Sequence, residues 1–177
     1  MMFRNLTEDE IEVKVKQVKQ TGLVCLLYKT ARTDMDLLDE TVGPSGWEND
    51  YKEIKGNLYA GIGILQKDGR MVWKFDCGIE SREDGEGNEK KGEASDAFKR
   101  AGFRWGIGRA LYTAPVIWIP SERANIKVSE YNGKKRYMCY DRFSVEKIAY
   151  DENNRIRGLA IRNETKGKRA FVWPVQK

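Results

Sequence analysis

The chain has 177 residues, with 32 Lys plus Arg against 27 Asp plus Glu, three Cys, five Trp and no His. Without an imidazole there is no Ser-His-Asp or Cys-His nucleophile pair, no histidine metal ligand and no side chain whose ordinary pKa lies near neutrality. The net charge of +5 is spread unevenly, at −5 over residues 1–88, +3 over 89–109, zero over 110–121 and +7 over 122–177, which predicts a partly acidic face and a basic face suited to polyanions.

The N-terminus, MMFRNLTEDEIEVKVK, has no apolar core of signal-peptide type, and no run approaches 18 apolar residues, so the expectation is a protein neither exported nor membrane-spanning. Thr7 and Glu10 stand three apart ahead of Ile11, Val15 and Val18, a capping box that predicts an amphipathic helix running to Gly22, although Val13 and the VKVK alternation argue for a strand. Leu23 to Tyr28 is an apolar run of strand length. Thr30 then caps a second helix with the stripe Met35, Leu38 and Val42, ended by Gly43 and Pro44. From Gly46 the period changes to that of strands. Trp47–Ile54, Asn57–Leu65 and Met71–Ile79 read as an antiparallel meander turned at Lys55-Gly56 and at Lys67-Asp68-Gly69. Residues 81–92, SREDGEGNEKKG, read as a polar surface loop.

Residues 92–112 carry the most regular pattern in the chain, with Ala94, Phe98, Ala101, Trp105, Gly108 and Tyr112 at helical spacing. Glycines at 102, 106 and 108 weaken such a helix by up to about 1 kcal/mol each, which implies close backbone packing or a bend. Beyond Pro115 and Pro120, strands are predicted at Ile126–Tyr131 and Arg136–Tyr140 around Asn132-Gly133, then at Phe143–Tyr150, Ile156–Ile161 and Arg169–Trp173. The fold class is therefore α+β: an antiparallel β-meander packed on a long helix, with a β-rich C-terminal extension. Residues 1–113 are expected to form the core and 114–177 an extension packed on the same domain. Cys25, Cys77 and Cys139 are scattered, odd in number and outside any CxxC, as in reduced thiols of a cytosolic protein, and they support neither zinc nor an iron–sulfur cluster.

The chemistry concentrates on the long helix. Arg100 and Arg104 fall on one flank a turn apart, where like charges repel unless an anion lies between them; Lys99 lies on the other side of the polar face, near Asp96 and Phe103. Lys90 and Lys91 precede them. Aromatic residues are dense nearby, at Phe98, Phe103 and Trp105 and at Trp47, Tyr51, Tyr59, Trp73 and Phe75 on the meander. Cations interleaved with aromatics suit a single-stranded nucleic acid, whose phosphates pair with the former and whose bases stack on the latter. The plainer reading is a solvated polar face with Asp96 neutralising Arg100, and Trp105 in the core.

GEASDAFKRAGFRWGIGRALY, residues 92–112, resembles the signature helix of the Rad fifty-two family of single-strand annealing proteins, especially its short bacteriophage and prophage members. The helix with Asp34, Met35, Leu38 and Asp39, the run Val42-Gly43-Pro44-Ser45-Gly46-Trp47, the hairpin Lys67-Asp68-Gly69 and the strand with Gly78 agree in order, so the resemblance covers roughly residues 23–113. It implies a β-β-β-α core, ATP-independent annealing in homologous recombination and repair, no cofactor, and assembly into a ring with DNA in an outer basic groove. The implied partners are single-stranded DNA, further copies of the chain, and a single-strand-binding protein or exonuclease; the implied location is the cytoplasm of a bacterial host. Lys99 and Arg100 match the family's DNA-contacting pair; Phe103 replaces a further Arg, for which Arg104 is displaced by one position. Arg32 stands near the groove residue of the preceding helix, and Lys67 matches a hairpin Lys of an outer DNA site.

Two other classes stay open on the residues alone. Asp76 with Glu89 and Lys91 fits the loose spacing Asp … Glu-x-Lys of a metal-dependent nuclease, though the Glu-x-Lys falls in the predicted loop. An RNA-binding or scaffold module would instead use the basic tail, where Lys134, Lys135, Lys166, Lys168 and Arg169 otherwise read as solvated turn residues.

Overall fold

The computed structural model describes residues 2–79 and 89–174. Its strands are β1 Glu12–Lys19, β2 Gly22–Tyr28, β3 Trp47–Ile54, β4 Asn57–Leu65, β5 Met71–Cys77, β6 Ile117–Pro120, β7 Ile126–Tyr131, β8 Lys134–Cys139, β9 Phe143–Tyr150, β10 Ile156–Asn163 and β11 Lys168–Trp173. Two helices, α1 Ala31–Val42 and α2 Glu89–Trp105, complete the regular structure with short 3-10 turns. The chain divides into two compact units, Met1–Arg4 with Lys29–Arg109, and Asn5–Tyr28 with Ala110–Lys177.

In the first unit β3-β4-β5 form the antiparallel meander, turned through Lys55 and Gly56 and through Gly69, all with positive φ. One side of β4 turns Ala60, Ile62 and Ile64 toward α2, where Ala97, Phe98 and Ala101 close the core; all six are essentially buried. Each fully buried Ile or Phe contributes about 1.5–3 kcal/mol. The other side of the meander is aromatic: Phe75 and Trp73 lie over Gly61 and Gly63, so closely that a Cβ there would fall 2.3 and 2.7 Å from the rings. Thr30 caps α1 as predicted, its hydroxyl accepting from Thr33 N at 3.1 Å, and Gly43 ends it.

The second unit is a six-stranded sheet in the order β11-β10-β9-β1-β2-β6, and Arg123 donates to Ala170 O at 3.3 Å where β6 comes round toward β11, so that the sheet nearly closes into a barrel. Leu23, Cys25, Ile117, Ile119, Leu159 and Ile161 fill its interior. The hairpin β7-β8 forms a separate two-stranded sheet.

Four local expectations are corrected. The helix from Thr7 to Gly22 is a single 3-10 turn, Glu8–Glu10, followed by β1; the Glu10 carboxylate does take the Thr7 N–H at 2.8 Å, but the run behind it is a strand. A bulge between Val15 and Gln17 inserts one residue, so the inward side chains Ile11, Val13, Val15 and Val18 acquire a spacing that imitates a helix. On α1 the buried side is Thr33, Asp34, Leu37 and Leu38, and Met35 is exposed. The long helix begins at Glu89, inside the predicted loop, and stops at Trp105 because Gly106 takes φ +102°; Tyr112 lies in a later 3-10 turn and is exposed. The rest of the predicted loop, residues 81–88, lies outside the described residues.

Candidate nucleic-acid interface

Helix α2 presents its cations on two flanks. On the β5 flank Arg100 and Arg104 share one counter-ion, Asp76: Arg104 Nε donates to Oδ2 at 3.0 Å, and Arg100 Nε lies 3.4 Å from Oδ1, buried and without a hydrogen-bond partner among the described residues. The two guanidinium side chains keep 40% and 58% of their surface, against 18% for the carboxylate between them. Partial burial alone would raise the Asp76 carboxyl, but the hydrogen bonds from Arg104 and the Cys77 N–H, with the charges of Arg100 and Arg104, hold it below the usual carboxylate range. The anion predicted to separate these like charges is thus the protein's own, and it comes from β5, whereas Asp96 accepts from Ile79 N at 3.2 Å. Asp76 was also the leading carboxylate of the nuclease alternative; two guanidiniums now occupy it, and Glu89 and Lys91 lie in helix rather than loop.

On the α1 flank Lys99 is half-buried, 4.0 Å from Asp96. Beneath it lies a fully buried ion pair that sequence reasoning missed. Lys29 Nζ donates to both Asp34 carboxylate oxygens and to the Lys99 carbonyl at 3.0 Å, and sits 4.1 Å from the centroid of Phe103. Burial pushes Lys29 down and Asp34 up, while each charge pulls the other back toward ionisation. A Cβ on Gly102 would meet Asp34 Oδ2 at 2.3 Å, so this glycine is the close backbone approach implied by the Gly-rich helix. Asp34 was visible only as part of a family motif; Lys29 carried no signal in any periodicity.

The C-terminal end of α2 is closed by two further cations. Arg109 donates from Nε and Nη2 to Phe103 O at 2.9 and 2.7 Å, and Lys74 Nζ donates to Arg104 O at 3.1 Å while lying 4.2 Å from the Trp105 ring centroid. These orphan carbonyls and the negative end of the helix dipole account for both side chains. Trp105 is half-buried, its Nε1 donating to Ile62 O at 2.9 Å.

Of the other predicted site residues, Arg32 is exposed in the first turn of α1 and makes no ion pair among the described residues, Lys91 is exposed in the first turn of α2, and Lys67 is exposed in the β4-β5 turn. Lys90 lies in the same turn of α2 as Lys91. The structure therefore brings Arg100 and Arg104 together on one carboxylate, sets Lys99 on the neighbouring flank, and leaves Lys67 at the remote hairpin.

Residues 2–129 match the family model of the Rad52/22 family double-strand break repair protein. The chain belongs to that family. Membership makes it a DNA repair protein of the Rad52/22 family. No curated protein and no solved structure matches it. No helix among the described residues is long and apolar enough to cross a membrane.

Proposed function

We propose that this Rad52/22 family chain binds single-stranded DNA and anneals complementary strands without ATP, as an assembly of several copies that holds the sugar-phosphate backbone along a basic groove. The observation that carries the reading is the shared carboxylate: a half-buried and an exposed arginine one turn apart are held side by side by a single Asp76, leaving one positive charge in excess on side chains that keep 40% and 58% of their surface. Such an edge donates bidentately to phosphate oxygens, a contact that positions the backbone of a strand. Lys99, Lys91 and Arg32 extend the positive charge, and Lys67 supplies a separate contact at the hairpin. A site that grips backbone and leaves base edges free lowers phosphate repulsion, and base pairing supplies the free energy of annealing. No covalent step is required.

The test is annealing of complementary fluorophore-labelled oligonucleotides by wild type and by the double variant Lys99→Ala, Arg100→Ala. Annealing is expected to be lost while thermal unfolding is unchanged, and the slope of log K against log salt is expected to fall by roughly 0.7 for each phosphate contact removed. Wild-type annealing by the variant would overturn the assignment.

A further inference from the structure

The hairpin β7-β8 stands outside the six-stranded sheet, and every residue from Lys127 to Arg136 is exposed. Its register separates two faces. Val128, Glu130, Lys135 and Tyr137 share one, and this face turns toward the β1-β2 turn, where Tyr137 OH meets Gln20 Oε1 at 3.2 Å. Lys127, Ser129, Tyr131, Lys134, Arg136 and Met138 share the other, joined by Tyr140, whose ring centroid lies 5.7 Å from Lys127 Nζ and whose hydroxyl meets Met138 Sδ at 3.3 Å. That second face holds three cations and no carboxylate, and none of the three makes an ion pair among the described residues. It also holds two of the most exposed aromatic rings described, Tyr131 at 78% and Tyr140 at 71%.

Exposed tyrosines normally turn their rings onto neighbouring apolar surface, since leaving them in water forgoes the gain from burial. Lysine and arginine crowded on one ribbon face repel one another, since same-face neighbours along a strand are only about 6.8 Å apart. Both costs vanish against one kind of partner. A flexible polyanion with free aromatic faces neutralises the cations and stacks on the rings, whereas a duplex hides its bases and a run of Asp and Glu has no rings to stack. We infer that this face of the β7-β8 ribbon is a second contact for single-stranded nucleic acid, with Lys127, Lys134 and Arg136 on phosphates and Tyr131 and Tyr140 stacking unpaired bases. Tyr131, Lys134, Arg136 and Tyr140 lie beyond the family match, which ends at residue 129, and Lys127 lies within it. It rests on the proposed function only in the choice of nucleic acid as ligand.

The test uses the full chain, titrated with oligothymidine and with an abasic strand of equal length. Triple substitution Lys127→Ala, Lys134→Ala, Arg136→Ala is expected to weaken both strands and to lower the salt slope by about 2. The pair Tyr131→Ala, Tyr140→Ala is expected to weaken oligothymidine at least about fivefold per ring and leave the abasic strand unchanged. Lys135→Ala, on the opposite face, serves as the control. Unchanged oligothymidine binding by both ribbon variants, or equal loss on the abasic strand by the tyrosine pair, would overturn the inference. So would a triple variant that keeps DNA binding but loses binding to phosphatidylserine vesicles. The Lys99→Ala, Arg100→Ala variant, run beside them, separates the two readings: loss there with intact ribbon variants sinks the ribbon alone, and the reverse sinks the α2 site alone.

Discussion

The buried Lys29–Asp34 pair offers the sharpest test of how the first unit is held together. Both side chains are sealed from solvent, and the Lys29 ammonium spends its protons on two Asp34 oxygens and the Lys99 carbonyl. In Asp34→Asn one carboxylate oxygen becomes an NH2 donor facing an ammonium, and the remaining charge is buried with nothing to balance it. Breaking one side of such a pair costs about 3–5 kcal/mol. For a chain of this size that lowers the unfolding midpoint by about 6–20 °C. Replacing the whole pair, Lys29→Met with Asp34→Leu, removes both desolvation penalties, and such exchanges are often neutral or stabilising by about 1–4 kcal/mol.

Thermal and urea unfolding of wild type, Lys29→Met, Asp34→Leu and the double variant close a mutant cycle. The double variant is expected to be more stable than either single one. A single-variant loss below about 1 kcal/mol, or a double variant as unstable as the two losses added together, would refute the claim that the pair is a closed, coupled unit.

Gly102→Ala gains up to about 1 kcal/mol of helix propensity yet places a Cβ 2.3 Å from Asp34 Oδ2; a net loss of about 1–3 kcal/mol is expected by circular dichroism melting, and a gain would show that the carboxylate moves aside freely. Carbon-13 titration should find the Asp76 carboxyl below its ordinary value, and higher in Arg104→Ala because the chief donor to its anion is gone; the same link means that Asp76 stabilises the fold above the ordinary carboxylate pKa and loses that contribution as pH falls through its lowered value. If Asp76 competes with phosphate for the arginines, Asp76→Asn should tighten oligothymidine binding at low salt by severalfold or more. Weaker binding by that variant would show that the carboxylate instead prepares the arginines for DNA.

The meander was legible because its turns are spelled out: Lys55, Gly56 and Gly69 take positive φ, and a period of two runs on either side. Helix α1 was legible at its ends, from Thr30 to Gly43, but not on its inner side, since the reading sought an apolar stripe where a buried carboxylate stands. At β1 the pattern misled for a stereochemical reason, one bulged residue converting a period of two into spacings of four and three. On α2 the repulsion between Arg100 and Arg104 required an anion, yet no local rule names a residue 24 positions upstream on another element. Spacing along a chain reports on which residues share a face; it does not report what the opposite face brings to meet them.

Three of the electrostatic settings of cations among the described residues differ in their ratio of cation to carboxylate. In the core of the first unit one lysine meets one aspartate, and the pair is closed. On the β5 flank of α2 two arginines meet one aspartate, so a charge is left over where solvent reaches. On the outer face of the β7-β8 ribbon three cations meet no carboxylate. Desolvation explains the first ratio, because a buried excess charge would cost several kcal/mol. It weighs less on the other two, whose cationic side chains keep more contact with solvent in a chain that carries 27 carboxylates. The excess is therefore placed where an external anion can reach it. Under the proposed function, a phosphate backbone is the anion that each of these sites would take.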